Sequence, residues 1–121
     1  MANLPTKIIL YCEANGKVAD FDIGGNVTVS DDLIDGVSNP YISKWTVDGL
    51  TKPTDSQLAS YETAGNTSEK NEKTRETRRA AYGDIGDQLD LLYKDMLAGK
   101  GDSTGEWFKS IKAVKDANPK E

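Results

Sequence analysis

The chain of 121 residues contains no histidine and a single cysteine, Cys12. The absence of histidine removes the usual general base near neutral pH, the commonest zinc ligand and the ordinary serine or cysteine triad. The lone cysteine has no internal disulfide partner and is expected to be a small buried residue rather than a reactive thiol. The aspartates between Asp20 and Asp35 lack the spacing of an EF-hand loop. We therefore predict no enzymatic activity, no cofactor, no metal site and no small-molecule substrate.

Long apolar runs are also missing. Nowhere do eighteen apolar residues stand together, and residues 1–6 have no basic region followed by a long apolar run. We therefore expect neither a membrane span nor a signal peptide. The formal charge of −5, without a basic block interleaved with aromatics, argues against a nucleic-acid partner. With 36% apolar residues, the chain is expected to form one small domain, or a domain with an arm, around a modest core.

Residues 1–53 carry the signals of a small antiparallel β domain. Asn15-Gly16 is a strong type I′ hairpin signal and lies between two segments of strand-forming residues. A two-residue loop at this point would pair Cys12 with Ala19 on the dry face of the hairpin. Further strands are expected at residues 27–29 and 41–47. The sequence thus predicts an α+β protein that begins with a β-meander.

Residues 54–81 are predicted to form a short helix followed by a charged arm. Thr54 and Gln57 have the spacing of a capping box at the start of the short helix. From Asn66 to Arg79 every residue is polar, and acidic and basic residues are spaced for intrahelical pairs. Such a segment is either a solvated helix or a flexible linker, and the continuation of the pairs into two alanines favours the helix.

Residues 82–121 are predicted to form an amphipathic helical hairpin. Asp84 is a natural N-cap for the first helix, and Ser103 with Glu106 has the spacing of a capping box for the second. Large apolar residues recur at helical spacing on both helices and form a stripe that we call the apolar seam. Its members are Ile85, Leu89, Leu92, Tyr93, Met96, Trp107, Phe108, Ile111 and Val114.

The apolar seam is the candidate partner-binding site. Burial of these side chains within the hairpin alone offsets less free energy than the ordering of its residues costs. The seam must therefore be covered by the N-terminal half or by another protein chain. The simpler alternative is that the seam is the core of this domain, because leucine and aromatic stripes usually are.

The order of residues in the C-terminal third resembles the C-terminal segment of small virion or tail proteins encoded by tailed bacteriophages. The resemblance rests on Tyr82, Ile85, Gln88-Leu89-Asp90, Leu92-Tyr93, Asp95, Trp107, Ile111-Lys112, Val114-Lys115 and Pro119-Lys120. Upstream, the residues that look like the strand and helix entry of such proteins are Tyr41-Ile42, Trp45, Gly49, Pro53-Thr54 and Gln57-Leu58. The two stretches together cover about half of the chain.

The resemblance implies a non-enzymatic minor structural protein of the virion, with a tail, tail-fibre or capsid-attachment role. Its implied partners are other virion proteins and copies of itself, and its implied location is the virion, preceded by the bacterial cytoplasm before assembly. Two alternatives remain open. One is an assembly chaperone for a tail or tail fibre that is absent from the mature particle, and the other is a small host-directed binding module.

Overall fold

The structure, a computed structural model, describes residues 1–121 and contains five helices and two strands. In chain order they are α1 (Leu4–Ala14), β1 (Val27–Ser30), β2 (Tyr41–Trp45), α2 (Asp55–Ala59), α3 (Glu62–Tyr82), α4 (Ile85–Leu97) and α5 (Glu106–Ala117). The predicted α+β class is confirmed. The chain separates into two compact units, residues 1–69 and 70–121, and the boundary lies within α3. The predicted three-part division into 1–53, 54–81 and 82–121 stays a prediction.

The hairpin predicted at Asn15-Gly16 is wrong, because this dipeptide ends helix α1 instead. Gly16 follows the helix at a φ of 69°. The backbone N–H of Gly16 donates to the carbonyl of Glu13, and the N–H of Lys17 donates to the carbonyl of Cys12 at 2.8 Å. These two bonds are the Schellman motif that satisfies the last carbonyls of a helix. A glycine at positive φ serves a helix C-terminus as well as a type I′ turn, so the dipeptide alone does not distinguish them.

Signals at the start of α1 account for the helix. The side chain of Asn3 accepts a hydrogen bond from the backbone N–H of Thr6 at 2.9 Å, and Pro5 lies in the first turn. Ile8 and Cys12 lie one helical turn apart and are fully buried. The burial of Cys12 is confirmed, but its predicted pairing with Ala19 is wrong, since residues four apart share a helix face as well as a strand face.

The two strands form an antiparallel sheet close to the places expected, residues 27–29 and 41–47, although β2 ends at Trp45. Val27 pairs with Trp45 and Ser30 with Tyr41, with an irregularity between Thr28 and Val29. The turn of this hairpin is Asp35-Gly36, with φ angles of 53° and 75°, as a type I′ turn requires. Asp35-Gly36 is a turn signal of the same kind as Asn15-Gly16, and it is the dipeptide that forms the hairpin.

The core of the first unit is formed by α1, the sheet and α2. Its buried residues are Ile8, Tyr11, Cys12, Val27, Ile42, Val47 and Leu58. The ring of Tyr11 lies 6.1 Å from that of Trp45 and 6.4 Å from that of Tyr61. The hydroxyl of Tyr11 donates to the carbonyl of Thr51 at 2.8 Å, so this buried polar group is satisfied.

The charged segment lies in helix α3, which is the structure that the spacing of its charges favoured. The first turns of α3 are not fully solvated, however. Glu62 accepts from the backbone N–H of Ala2 at 2.8 Å and pairs with Lys7 at 2.9 Å. Glu69, two turns further on, accepts from the backbone N–H of Asn3 at 2.8 Å. These carboxylates satisfy N–H groups at the start of α1 and are favoured there by its helix dipole.

The second unit contains the end of α3 and the helices α4 and α5. The predicted C-terminal helical hairpin is confirmed, because α4 and α5 pack against each other. Asp84 caps α4 as expected, accepting from the backbone N–H of Gly86 at 2.6 Å, and Gly99 follows α4 at a φ of 72°. The guanidinium of Arg78 on α3 donates to the carbonyl of Asn118 at the end of α5, at 2.7 Å.

Candidate functional site

The structure divides the apolar seam into an exposed part and a half-buried part. Ile85, Leu89, Tyr93 and Met96 recur every three or four residues along α4 and are between 59% and 73% exposed. Leu97, which was not among the predicted residues, is 72% exposed beside them. We call these five residues the exposed α4 face. Large exposed apolar side chains grouped at helical spacing on one helix mark a candidate interaction site.

The half-buried part consists of Leu92 on α4 and of Trp107, Ile111 and Val114 on α5. They belong to the packed helix pair, in which α4 and α5 cover part of each other's apolar surface. Phe108, the remaining predicted residue, is 41% exposed. The hairpin therefore closes about half of the seam itself, and the exposed remainder lies mainly on α4.

Asp95 fixes the start of α5 onto α4. This aspartate is only 6% exposed, and its Oδ2 accepts from the backbone N–H of Trp107 at 2.8 Å. The N-cap residue of α5 is Gly105, which has no side-chain cap of its own. The predicted capping box of Ser103 and Glu106 is therefore wrong, because α5 begins two residues too late for it. Sequence spacing gives no signal for a cap that comes from another helix.

Gly105 is held tightly between these elements. A Cβ at this position would lie 2.2 Å from the carbonyl oxygen of Lys100 and 2.7 Å from Oδ2 of Asp95. Real Cβ atoms do not approach other atoms so closely, so only glycine fits without a shift of the backbone. The α4–α5 connection is thus a defined structural unit that sets the position of α5.

A shallow apolar groove follows one side of α5. It has a volume of about 400 Å³ and is lined by Trp107, Phe108, Ile111, Lys112, Lys115 and Asp116. We call it the α5 groove. Its floor is aromatic and aliphatic, and its rim is charged. Lys112 pairs with Asp116, whereas Lys115 forms no ion pair.

A second groove in the same unit is basic. It is lined by Arg75, Arg78, Arg79, Tyr82, Lys115 and Lys120, which include all three arginines of the chain. Arg78 is occupied by the last carbonyls of α5, where a cation is favoured by the helix dipole. Arg75 pairs with Glu72 at 2.7 Å. Two of the three arginines therefore already have partners within the second unit.

The first unit exposes an apolar hairpin tip that sequence analysis did not select. Leu33, Ile34 and Val37 flank the Asp35-Gly36 turn and are 58%, 70% and 65% exposed. We call these three residues the hairpin tip. Asp31 organises the loop, since its carboxylate accepts from the hydroxyl of Ser38 and from the backbone N–H groups of Leu33 and Asn39. These hydrogen bonds, with that from Ser38 the largest cause, lower the pKa of Asp31.

The remaining chemistry of the chain is sparse. No three Asp, Glu or Cys side chains are arranged to hold a metal ion. Burial, with a smaller contribution from Glu13, raises the pKa of the Cys12 thiol, which disfavours the reactive thiolate. None of the five helices is both long enough and apolar enough to cross a membrane.

Comparison of the chain with protein-family models, with curated proteins and with solved structures finds no match.

Proposed function

We propose that this protein is a non-enzymatic minor structural protein of a tailed-phage virion and that its exposed α4 face docks a neighbouring virion subunit. One observation carries the proposal. Five large apolar side chains lie exposed on a helix of 13 residues, with a packed helix behind them that keeps them in place. A surface of this kind is costly to leave in water and becomes favourable when another protein covers it.

The size of the surface sets how strong the contact can be. Complete burial of a large apolar side chain contributes about 1.5–3 kcal/mol, so covering these partly exposed residues would contribute roughly 5–10 kcal/mol in total. Association costs about 4–15 kcal/mol in lost translational and rotational freedom. The exposed α4 face by itself therefore supports a weak pairwise contact. Stable attachment requires further contacts or several copies that bind together, as in a symmetric particle.

The resemblance of the C-terminal third to small phage virion or tail proteins supports this proposal. Three of the positions that carry the resemblance, Ile85, Leu89 and Tyr93, lie on the exposed α4 face. The partners that follow are other virion proteins and copies of this chain. The proposed location is the virion, after synthesis in the bacterial cytoplasm.

The test is the protein content of mature particles of a phage that encodes this chain. Quantitative mass spectrometry is expected to find the protein at a copy number set by particle symmetry. Presence in infected cells but absence from purified particles would contradict the proposal. If the chain were then found on incomplete tails or fibres, it would be an assembly chaperone. If it were found on neither, it would be a host-directed module.

A matched pair of variants tests the surface itself. Leu89→Asp places a charge on the exposed α4 face and is expected to reduce incorporation at least about tenfold, because a buried unpaired charge is costly. Asp90→Asn changes the neighbouring residue, whose ion pair with Lys94 is solvent-exposed, and is expected to leave incorporation unchanged. Equal incorporation of both variants would show that α4 is not the docking surface.

A further inference from the structure

We propose that the hairpin tip of one copy docks in the α5 groove of a second copy of this chain. This proposal rests on the proposed function, because the groove residues Trp107, Phe108 and Ile111 belong to the same apolar seam. It names a second copy of the chain as their partner. It leaves the exposed α4 face free for a different virion protein.

The hairpin tip has the chemistry of a small apolar plug. Ile34 and Val37 face each other across the turn as a bridged pair, and Leu33 precedes them. All three side chains are more than half exposed in the first unit. Exposed branched side chains at the end of a hairpin contribute nothing to the core of their own unit, which is built from other residues.

The tip is also rigid, so docking would order little. The turn is closed by hydrogen bonds from Gly36 N–H to the Leu33 carbonyl and from Val37 N–H to the Ile34 carbonyl, at 3.0 and 2.9 Å. Asp31 adds three more bonds from the two sides of the loop. Leu33 is held at a φ of 47°, an uncommon conformation for a leucine that the surrounding bonds maintain. A preorganised loop binds with less loss of conformational freedom than a flexible one.

The α5 groove offers a matching surface. Its floor of Trp107, Phe108 and Ile111 is apolar, and its rim is charged. Phe108 is exposed enough to be covered by a partner. Aromatic side chains in such a position are the residues that most often dominate the energy of an interface.

Charge favours this pairing over a contact between two identical surfaces. Residues 1–69 carry ten acidic and four basic residues, a net charge of −6, whereas residues 70–121 carry ten acidic and eleven basic residues, a net charge of +1. The tip carries Asp35, which is exposed and forms no ion pair, and the groove rim carries the unpaired Lys115. The acidic tip would be repelled by the first unit of another copy, which is itself acidic. It would be attracted by the second unit, which carries a small positive net charge.

The contact has a consequence for assembly. The tip and the groove are different surfaces on different units, so the contact is heterologous and leaves one free tip and one free groove after each addition. Copies would therefore add head to tail and close into a ring if the rotation permits, or form a filament if it does not. A repeated arrangement of this type suits a protein present in several copies of a symmetric particle.

The experiment uses two full-length variants, each with one surface broken. Ile34→Asp places a charge in the tip, and Phe108→Glu places one in the groove. Each is compared with a control of equal charge change on an exposed site of the same unit, Ile23→Asp for the tip and Lys109→Gln for the groove. Circular dichroism establishes that all four variants fold, and analytical ultracentrifugation over a range of concentrations gives their mass.

The wild-type protein and both controls are expected to form species larger than a dimer as concentration rises. Each broken variant alone is expected to remain monomeric, with self-association weakened at least about tenfold. An equimolar mixture of the two broken variants is expected to stop at a heterodimer, because it contains one intact tip and one intact groove per pair. Asp35→Asn, which keeps the turn, is expected to weaken association and to reduce its dependence on salt.

The outcomes separate this inference from the proposed function. A monomeric wild-type protein, self-association of the Ile34→Asp variant, or a mixture that remains monomeric would each overturn the tip-and-groove contact. Self-association that survives Ile34→Asp and is lost on Leu89→Asp would place the self-contact on α4. Detection of the protein in particles would still support the proposed function in these cases, whereas head-to-tail association without incorporation would contradict only that function.

Discussion

Replacement of Asp95 by alanine tests how the second unit is held together. The structure assigns this residue an unusual task, because its carboxylate on α4 caps the start of α5 through the backbone N–H of Trp107 at 2.8 Å. Removing the side chain leaves that N–H without a protein partner and removes a negative charge from the positive end of the α5 dipole. The expected result is a loss of stability confined to residues 70–121.

The magnitude follows from two overlapping estimates. A hydrogen bond to a charged group contributes about 1.5–3 kcal/mol, and loss of an N-cap costs about 0.5–2 kcal/mol. These figures describe the same interaction and are not summed. Relief of the desolvation of a buried carboxylate offsets part of the loss. We expect Asp95→Ala to lower the free energy of unfolding by about 1–2 kcal/mol. Asp95→Asn keeps an acceptor oxygen and should cost less, about 0.3–1 kcal/mol.

The assay is urea unfolding followed by tryptophan fluorescence. The chain has one tryptophan in each unit, Trp45 and Trp107, so a Trp45→Phe background reports the second unit alone. Asp90→Ala is the control, because its ion pair with Lys94 is exposed and should contribute less than about 1 kcal/mol. The interpretation of Asp95 as a cap would be refuted if Asp95→Ala and Asp90→Ala unfolded at the same urea concentration.

The remaining predictions concern other local contacts. Gly65→Ala places a Cβ 2.6 Å from that of Ala2, and we expect it to destabilise the first unit by about 1–3 kcal/mol, measured by Trp45 fluorescence in urea. Ser103→Ala should change the stability of the second unit by less than about 0.5 kcal/mol, measured by Trp107 fluorescence in urea in the Trp45→Phe background, since this serine caps nothing. Glu69 has a lowered pKa, chiefly through the backbone N–H of Asn3. Its contribution is therefore present above the ordinary glutamate pKa and lost as pH falls through the lowered one, and thermal melts of Glu69→Gln should show a weaker loss in acid.

Sequence reasoning succeeded where a structural signal is contained in a few consecutive residues. The Thr54 and Gln57 capping box forms with both of its bonds, and Asp84 caps α4. The strands expected at residues 27–29 and 41–47 form as Val27–Ser30 and Tyr41–Trp45, and the polar segment from Asn66 to Arg79 is helical. The caps and the charged helix depend on hydrogen bonds or charge pairs within their own segments, and the strands on short runs of strand-forming residues.

The same reasoning failed where two structures share one local signal. Asn15-Gly16 suits a hairpin turn and a helix end equally, and the apolar residues before it have both strand and helix spacing. Asp35-Gly36 is an equivalent turn signal and forms the hairpin that is present. The choice between the two dipeptides was made by Asn3 and Pro5, which start a helix twelve residues before the first of them, and by the packing of that helix on the sheet and on α3.

The candidate site shows the same division between local and tertiary information. Periodicity identified all nine residues of the apolar seam, because helical spacing places them on one side of each helix. It could not separate the exposed residues of the seam from the half-buried ones, since that depends on how the two helices pack. Nor could it identify Asp95 as the cap of α5, because this hydrogen bond joins residues twelve positions apart.

The sequence by itself determined the α+β class, the helical nature of the C-terminal two fifths and the apolar character of its candidate surface. These follow from periodicity, capping and composition, which act over one or two turns of chain. Only the tertiary structure decided which apolar residues remain in water, where the hairpin lies and what holds α5 in place. Those features depend on contacts between segments that are distant in the chain, whose free energies no local pattern contains.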